Sequence, residues 1–173
     1  MSNFKTWCIY QHDSVCNQKY GQNDELPYSF HLKAVFSQYE KFKYLLSTTL
    51  RYEREEVEQA VWGHDLIEDA RLTYSDIKKR TSVQVADIIF SCTDSLGKTR
   101  EERKDEAFWL RLTSNDLAIF VKLCDVIANT KYSLLTNSSM YETYRKEFPY
   151  FKKRAYREQY KEMFDYLEKL LSL

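Results

Sequence analysis

The sequence predicts an all-α fold in a single domain spanning residues 1–173, and three observations carry that prediction. The 173 residues include only 3 Gly and 2 Pro, so the chain is poor in the residues that tight hairpins need. Long stretches place their apolar residues at helical spacing. No internal repeat, low-complexity tract or Gly/Pro/Ser-rich linker divides the chain, and one domain of this length can bury a respectable core.

The elements follow in order. Residues 4–20 read as helical, and GQNDELPYS, residues 21–29, reads as a loop because Gly, Asn, Asp and Pro mark turns. One helix runs from about Phe30 to Leu46 with His31 at its start, and another from about Glu53 to Leu66 or slightly beyond. LTYSDIKKRTSVQVADIIFSCTD gives two short helices, the first capped by Thr73 with Asp76 three residues on. Gly97 ends that region. A charged helix follows from about Thr99 to Leu112, then a strongly apolar one from Asp116 to about Leu135. From Met140 the tail interleaves aromatics with Lys and Arg, a pattern that can bind single-stranded nucleic acid. Tyr156, Tyr160, Met163, Leu167, Leu170 and Leu171 nevertheless share one helical stripe, and a packed C-terminal helix is the better reading.

Charge and cysteine usage bound the partners. Twenty-six basic residues balance 26 acidic ones, which argues against general affinity for nucleic acid or anionic membrane. No apolar run reaches the roughly 18 residues of a membrane span. MSNFKTWCIYQHD lacks the basic-then-apolar pattern of a signal peptide, so a cytoplasmic protein is expected. Cys8, Cys16, Cys92 and Cys124 form no C-x-x-C pair and read as reduced thiols rather than a structural zinc site. The sequence carries no signal for an oligomeric state.

The chemistry concentrates in VWGHDLIEDA, residues 61–70. On a helix His64 sits over Glu68 and Asp65 over Asp69, a stripe of one imidazole and three carboxylates with no basic residue before Arg71. A second His-Asp dipeptide, His12–Asp13, has no such company and reads as an ordinary surface pair. Asp125 lies in DLAIFVKLCDVIANT among Val121, Leu123, Val126 and Ile127, where an unpaired carboxylate is expensive. Lys122 reads as a poor partner for it, whereas Asn129 shares its face. His31, His64, Asp65 and Asp125 together make a two-imidazole, two-carboxylate set suited to a Mn, Fe or Zn ion. Glu68 and Asp69 then remain free to handle protons. The residues alone point to a metal-assisted hydrolase of a phosphate compound, with a purely structural role for the acids as the alternative.

The sequence also resembles a known superfamily over nearly its whole length. GHDLIEDA at 63–70 is similar to LHDTVEDT, VKLCDVIANTK at 121–131 to KLADRLHNxR, and PYSFH at 27–31 to PYIxH. These are motifs of the HD superfamily, and within it of the RelA/SpoT-type hydrolase domains and the small alarmone hydrolases. The resemblance implies an all-α HD fold, usually with a minor hairpin, and one Mn²⁺ held by His31, His64, Asp65 and Asp125. It implies that Glu68 and Asp69 position water and manage the leaving group. The implied reaction removes pyrophosphate from the 3′ position of guanosine tetra- or pentaphosphate, with Asn129 at the nucleotide sugar.

Departures from the pattern concern the substrate. The Arg-Lys pair that precedes PYIxH is reduced to Lys19, and the Arg of NxR is Lys131, which keeps charge but loses the bidentate fork. Lys98, Arg100, Arg103 and Lys104, in GKTREERK, are the candidate phosphate-binding replacements. Two alternatives stand beside the alarmone hydrolase: another HD phosphohydrolase, such as a nucleotidase or an NADPH 2′-phosphatase, and a non-catalytic HD regulatory or binding module.

Overall fold

The computed structural model describes residues 2–21, 23, 25–46 and 51–173, with only the backbone described at 2, 3 and 51–53. The chain is built from helices: α1 (Ser2–Tyr10), α2 (Ser29–Phe42), α3 (Arg51–Gly63), α4 (Tyr74–Arg80), α5 (Val83–Cys92), α6 (Arg100–Arg103), α7 (Glu106–Thr113), α8 (Asp116–Leu135), α9 (Met140–Ala155) and α10 (Lys161–Leu170). One small antiparallel pair, β1 (Lys19–Tyr20) and β2 (Leu26–Pro27), sets Lys19 opposite Pro27 and Tyr20 opposite Leu26. The expected minor hairpin therefore lies within 19–27, and part of the expected loop at 21–29 lies outside the described residues.

The apolar helix α8 is the axis of the fold. It is apolar around most of its circumference, so it needs cover on several sides. α2, α3, α5, α7, α9 and α10 all pack against it. Ile119, Phe120, Val121, Leu123, Cys124 and Ile127 are fully buried there. α10 adds the buried Met163, Phe164 and Leu167, as the C-terminal stripe predicts, although Tyr156 stays partly exposed and the tail bends after Ala155 before α10 begins. No helix among the described residues is long and apolar enough to cross a membrane. All four cysteines are free thiols.

The caps explain where the middle helices begin. Thr73 and Asp76 form a reciprocal capping box, with Asp76 N–H donating to Thr73 Oγ1 at 3.2 Å and Thr73 N–H donating to Asp76 Oδ2 at 2.9 Å. Thr99 and Glu102 do the same for α6, and Asp105 caps α7. The stretch expected as one helix from Thr99 to Leu112 is two helices for that reason: Asp105 is in extended backbone and its carboxylate accepts the Phe108 N–H, which starts a new helix. Replacing the exposed Thr73 with alanine is expected to cost about 1 kcal/mol in urea denaturation without changing the slope of the transition.

The N-terminal segment also differs from its prediction. Helical residues stop at Val15, and residues 11–15 form a wide π-type turn before β1. That turn rotates His12 into the interior, so the pair expected at the surface is not there. His12 is fully buried, stacks on Tyr28 with ring centroids 4.6 Å apart, and its Nδ1 lies 2.6 Å from Gln18 Oε1. Asp13 Oδ1 accepts the Ser29 N–H at 2.9 Å, satisfying one of the unpaired donors at the start of α2. Burial lowers the pKa of His12.

Candidate metal centre and acid pocket

Three elements aim the site. α2 carries His31 on its first turn, the turn after α3 carries His64 and Asp65, and α8 carries Asp125. The expected helix over the motif ends earlier than its periodicity suggests, at Gly63. A methyl group on Gly63 would meet Ile89 Cδ1 at 2.8 Å and Phe4 Cζ at 3.2 Å, so the bare glycine lets the backbone press against α1 and α5. From there Leu66 N–H bonds back to Gly63 O at 3.0 Å and Asp69 N–H to Asp65 O at 2.8 Å, keeping a single helical turn. The Asp65–Asp69 spacing survives in that turn.

The four expected ligands converge. His31 Nε2 lies 3.2 Å from His64 Nε2, 3.2 Å from Asp65 Oδ2 and 3.4 Å from Asp125 Oδ1. His64 Nε2 lies 2.9 Å from Asp65 Oδ2 and 3.7 Å from Asp125 Oδ1. All four residues are buried. Ligand atoms of His31, His64 and Asp65 fall within 4.8 Å of one another.

The tautomer of His64 decides what this cluster can hold. Its Nδ1 lies 2.9 Å from the Val61 carbonyl, which can only accept, so Nδ1 carries the hydrogen and Nε2 of the neutral ring presents a lone pair. That lone pair faces a carboxylate oxygen and a second imidazole nitrogen. Such a grouping needs a positive charge at its centre, a proton or a metal ion. Burial alone would lower the pKa of His64, yet Asp65 and Asp125 hold it well above its ordinary value. Burial would raise Asp65 and Asp125; His64 with His31 brings the first below the usual carboxylate range, and Lys122 with His64 the second. Two imidazoles and two carboxylates fit a divalent cation of the Mn, Fe or Zn type.

Lys122 is a correction to the sequence reading. Its Nζ lies 3.2 Å from Asp125 Oδ2 and 3.9 Å from Asp94 Oδ1. Residues three apart on a helix are neighbours, so Lys122 reaches Asp125 along α8. Its burial would lower its pKa, but Asp125, Asp94, Glu68 and Asp65 hold it well above the usual lysine value. Asn129, the expected partner, donates its Nδ2–H to Asp125 Oδ1 at 2.5 Å.

Glu68 and Asp69 line the same pocket, a cavity of about 160 Å³ whose rim also includes Asn129 and Arg103. Glu68 Oε1 lies 3.8 Å from Arg103, and its pKa is pushed up to about 7, mainly by burial and further by Asp94, Asp65 and Asp69, against the opposing pull of Lys122. The Tyr28 hydroxyl lies 2.6 Å from Asp65 Oδ2 and 2.9 Å from Asp69 Oδ2. Tyr20 stacks on His31 with centroids 5.0 Å apart and donates to Asn129 Oδ1 at 2.9 Å.

Three residues selected from the sequence do not line this pocket. Lys19 is exposed on β1, where strand alternation turns its neighbour Tyr20 inward instead. Lys131 lies two residues beyond Asn129, about 200° around α8. Lys98 is exposed, with its backbone N–H donating to Glu102 Oε2 at 2.7 Å. Arg100 and Lys104 do reach the pocket. Tyr28, Lys122 and Asp94 belong to it without having been selected. Tyr28 stands three residues before His31 within PYSFH, and Lys122 three before Asp125 within VKLCDVIANTK, so both lie in the stretches that carry the resemblance.

No family model matches the chain, and no curated protein matches it in sequence. Among solved structures, the fold matches that of a metazoan ortholog of SpoT described as hydrolyzing ppGpp and playing a role in starvation responses. The TM-score is 0.69 at 18% sequence identity, over 97% of this chain and 93% of that one. The chain thus has the SpoT-type HD fold, with a buried His/Asp cluster that could hold a metal where α2, α3 and α8 meet.

Proposed function

We propose that the chain is a manganese-dependent pyrophosphohydrolase that removes the 3′-pyrophosphate of (p)ppGpp or a closely related alarmone. The observation that carries this reading is the convergence of two imidazole nitrogens and two carboxylates beside a pair of further acids, Glu68 and Asp69, in one pocket. His31, His64, Asp65 and Asp125 would hold one divalent cation, Mn²⁺ in this reading with Fe or Zn as substitutes. Such a cation supplies Lewis acidity, making water more acidic and polarising a phosphoryl oxygen.

The protein's own groups do the rest. Glu68, with a pKa near 7, accepts a proton from the attacking water. Water adds to phosphorus, the bond between that phosphorus and the ribose 3′ oxygen breaks, and the proton taken up by Glu68 passes by way of Asp69 to the leaving oxygen. Arg103, with Arg100 and Lys104, neutralises phosphate at the rim. Asn129, held by Tyr20 and Asp125, meets the sugar. Tyr28 orients both Asp65 and Asp69. Tyr28→Phe is expected to weaken Mn²⁺ binding about 10- to 100-fold in calorimetric titration, the usual effect of losing a ligand's outer hydrogen bond.

The test is product analysis after incubation with ppGpp and Mn²⁺. GDP plus pyrophosphate is the expected outcome; with Mn²⁺ bound and ppGpp intact, the guanosine alarmone reading fails. A second reading, an HD phosphohydrolase of another nucleotide such as an adenosine alarmone or NADPH, is favoured by one observation. Lys19 and Lys131, the basic positions associated by resemblance with guanosine alarmones, do not line the pocket.

A further inference from the structure

A second cavity, of about 230 Å³, lies beside the acid pocket between α6, α7, α8 and α9. Phe108, Trp109, Phe148 and Phe151 form its apolar wall, and all four are buried. The two cavities share Arg100, Lys104, Lys122, Val126 and Tyr144 as lining residues, so they adjoin across these side chains and are taken together as two chambers of one cleft. Each alone falls short of the roughly 300 Å³ at which small-molecule sites begin, and a ligand that fills the cleft occupies both.

The chambers differ in chemistry along a line. At one end stand the His/Asp cluster, Glu68 and Asp69. At the junction, Arg100 and Lys104 both bind Glu147, through Arg100 Nη2 at 3.0 Å and Lys104 Nζ at 2.8 Å, so two cations share one carboxylate. At the far end are aromatic faces and edges. The complementary molecule carries a phosphoryl group at one end, anionic or polar atoms in the middle and a flat ring at the other.

Among the described residues, the opposite rim is filled by aromatic side chains. Tyr20, Phe30 and Tyr132 pack on one another, with Tyr20 4.7 Å from Tyr132 and 6.1 Å from Phe30 between centroids, and Tyr20 also covers His31. Space beside Gly21 is taken by the Tyr132 hydroxyl, 2.8 Å from where a Cβ would stand. Trp109 also packs against Phe108, Tyr150 and Phe151, but there a cavity of about 230 Å³ remains beside the rings.

We propose that the aromatic chamber between α7 and α9 holds the heterocyclic ring of a nucleotide substrate whose phosphoryl group lies at the His/Asp cluster. This rests on the reading of the site as a nucleotide phosphohydrolase and adds where the base goes. Base identity is then read by Trp109, Phe148 and Glu147.

Binding to the Mn²⁺-loaded protein tests it, with guanosine and adenosine 3′,5′-bisphosphate as probes and inorganic pyrophosphate as the ring-less control. Either bisphosphate is expected to quench tryptophan emission, pyrophosphate to leave it unchanged, and Trp109→Phe to abolish the signal. Phe148→Ala is expected to weaken bisphosphate binding at least 10-fold with pyrophosphate unaffected, while Tyr132→Ala leaves both unchanged. If Phe148→Ala loses its helical circular dichroism, Val126→Phe, which narrows the junction without opening the core, carries the same expectation. Bisphosphate affinity that follows Tyr132 instead of the chamber, or that equals pyrophosphate affinity, overturns the inference. A wild-type protein that binds no Mn²⁺ and turns over no nucleotide overturns the phosphohydrolase reading itself. Nucleotide turnover with binding indifferent to the chamber variants removes only the placement of the ring.

Discussion

Asp65→Ala is expected to lose bound manganese and, with it, turnover down to background. Asp65 Oδ2 is the oxygen nearest both imidazole Nε2 atoms, at 2.9 Å from His64 and 3.2 Å from His31. Without it, one carboxylate remains to balance a divalent charge, and the Tyr28 hydroxyl loses its shorter partner. The metal-free protein is expected to be destabilised as well, because removing one member of a buried ionic cluster typically costs about 3–5 kcal/mol. Metal analysis and thermal unfolding of the purified variant check both parts. Manganese retained at wild-type affinity would remove Asp65 from the ligand set.

Glu68→Gln should separate turnover from metal binding. Glu68 touches none of the ligand atoms and instead faces Arg103 and the Asp94 N–H, the latter at 3.4 Å. Loss of a positioned proton acceptor is expected to slow turnover about 10²- to 10⁴-fold with manganese still bound. Equal loss of metal in the Asp65 and Glu68 variants would refute this division of roles. The same substitution predicts a pH effect on the metal-free protein. Burial raises Glu68 from 4.5 to about 7 in the native state, so folding binds its proton more tightly than the unfolded chain does. The cost is absent below pH 4.5, grows between 4.5 and 7, and is complete above 7, where it reaches up to about 3 kcal/mol. Metal-free Glu68→Gln is therefore expected to melt higher than wild type at pH 8 and alike at pH 4.5. A nearby cation favours the ionised carboxylate, so manganese should narrow the difference.

Much of this architecture was legible because local signals agreed with the tertiary result. Thr73 and Asp76 announce α4 through a contact of three residues, and the unbroken apolar run of α8 announces a central helix. That His31, His64, Asp65 and Asp125 come together was foreseeable because carboxylates in apolar company demand a positive partner. What escaped depended on contacts across the chain or on a small backbone irregularity. His12 looked like a surface residue because nothing local reveals the π-type turn that buries it against Tyr28. Gly63, where the motif helix stops, lies close against Ile89 and Phe4, partners 26 and 59 positions away. Lys19 and Lys131 carry the expected charge, but strand alternation and helix phase send them away from the pocket, while Arg100 and Lys104 on a separate helix supply it.

The Tyr28 hydroxyl has a single hydrogen and two carboxylate oxygens within reach, at 2.6 and 2.9 Å. It can satisfy only one of them at a time. With Asp65 paired to a cation, the hydrogen is worth more to Asp69. Without that cation, the hydrogen favours Asp65, the nearer oxygen. Rotation about one bond of Tyr28 thus links the candidate ligand Asp65 to its neighbouring acid Asp69. His12, pressed flat against the Tyr28 ring, keeps the pivot of that rotation in place.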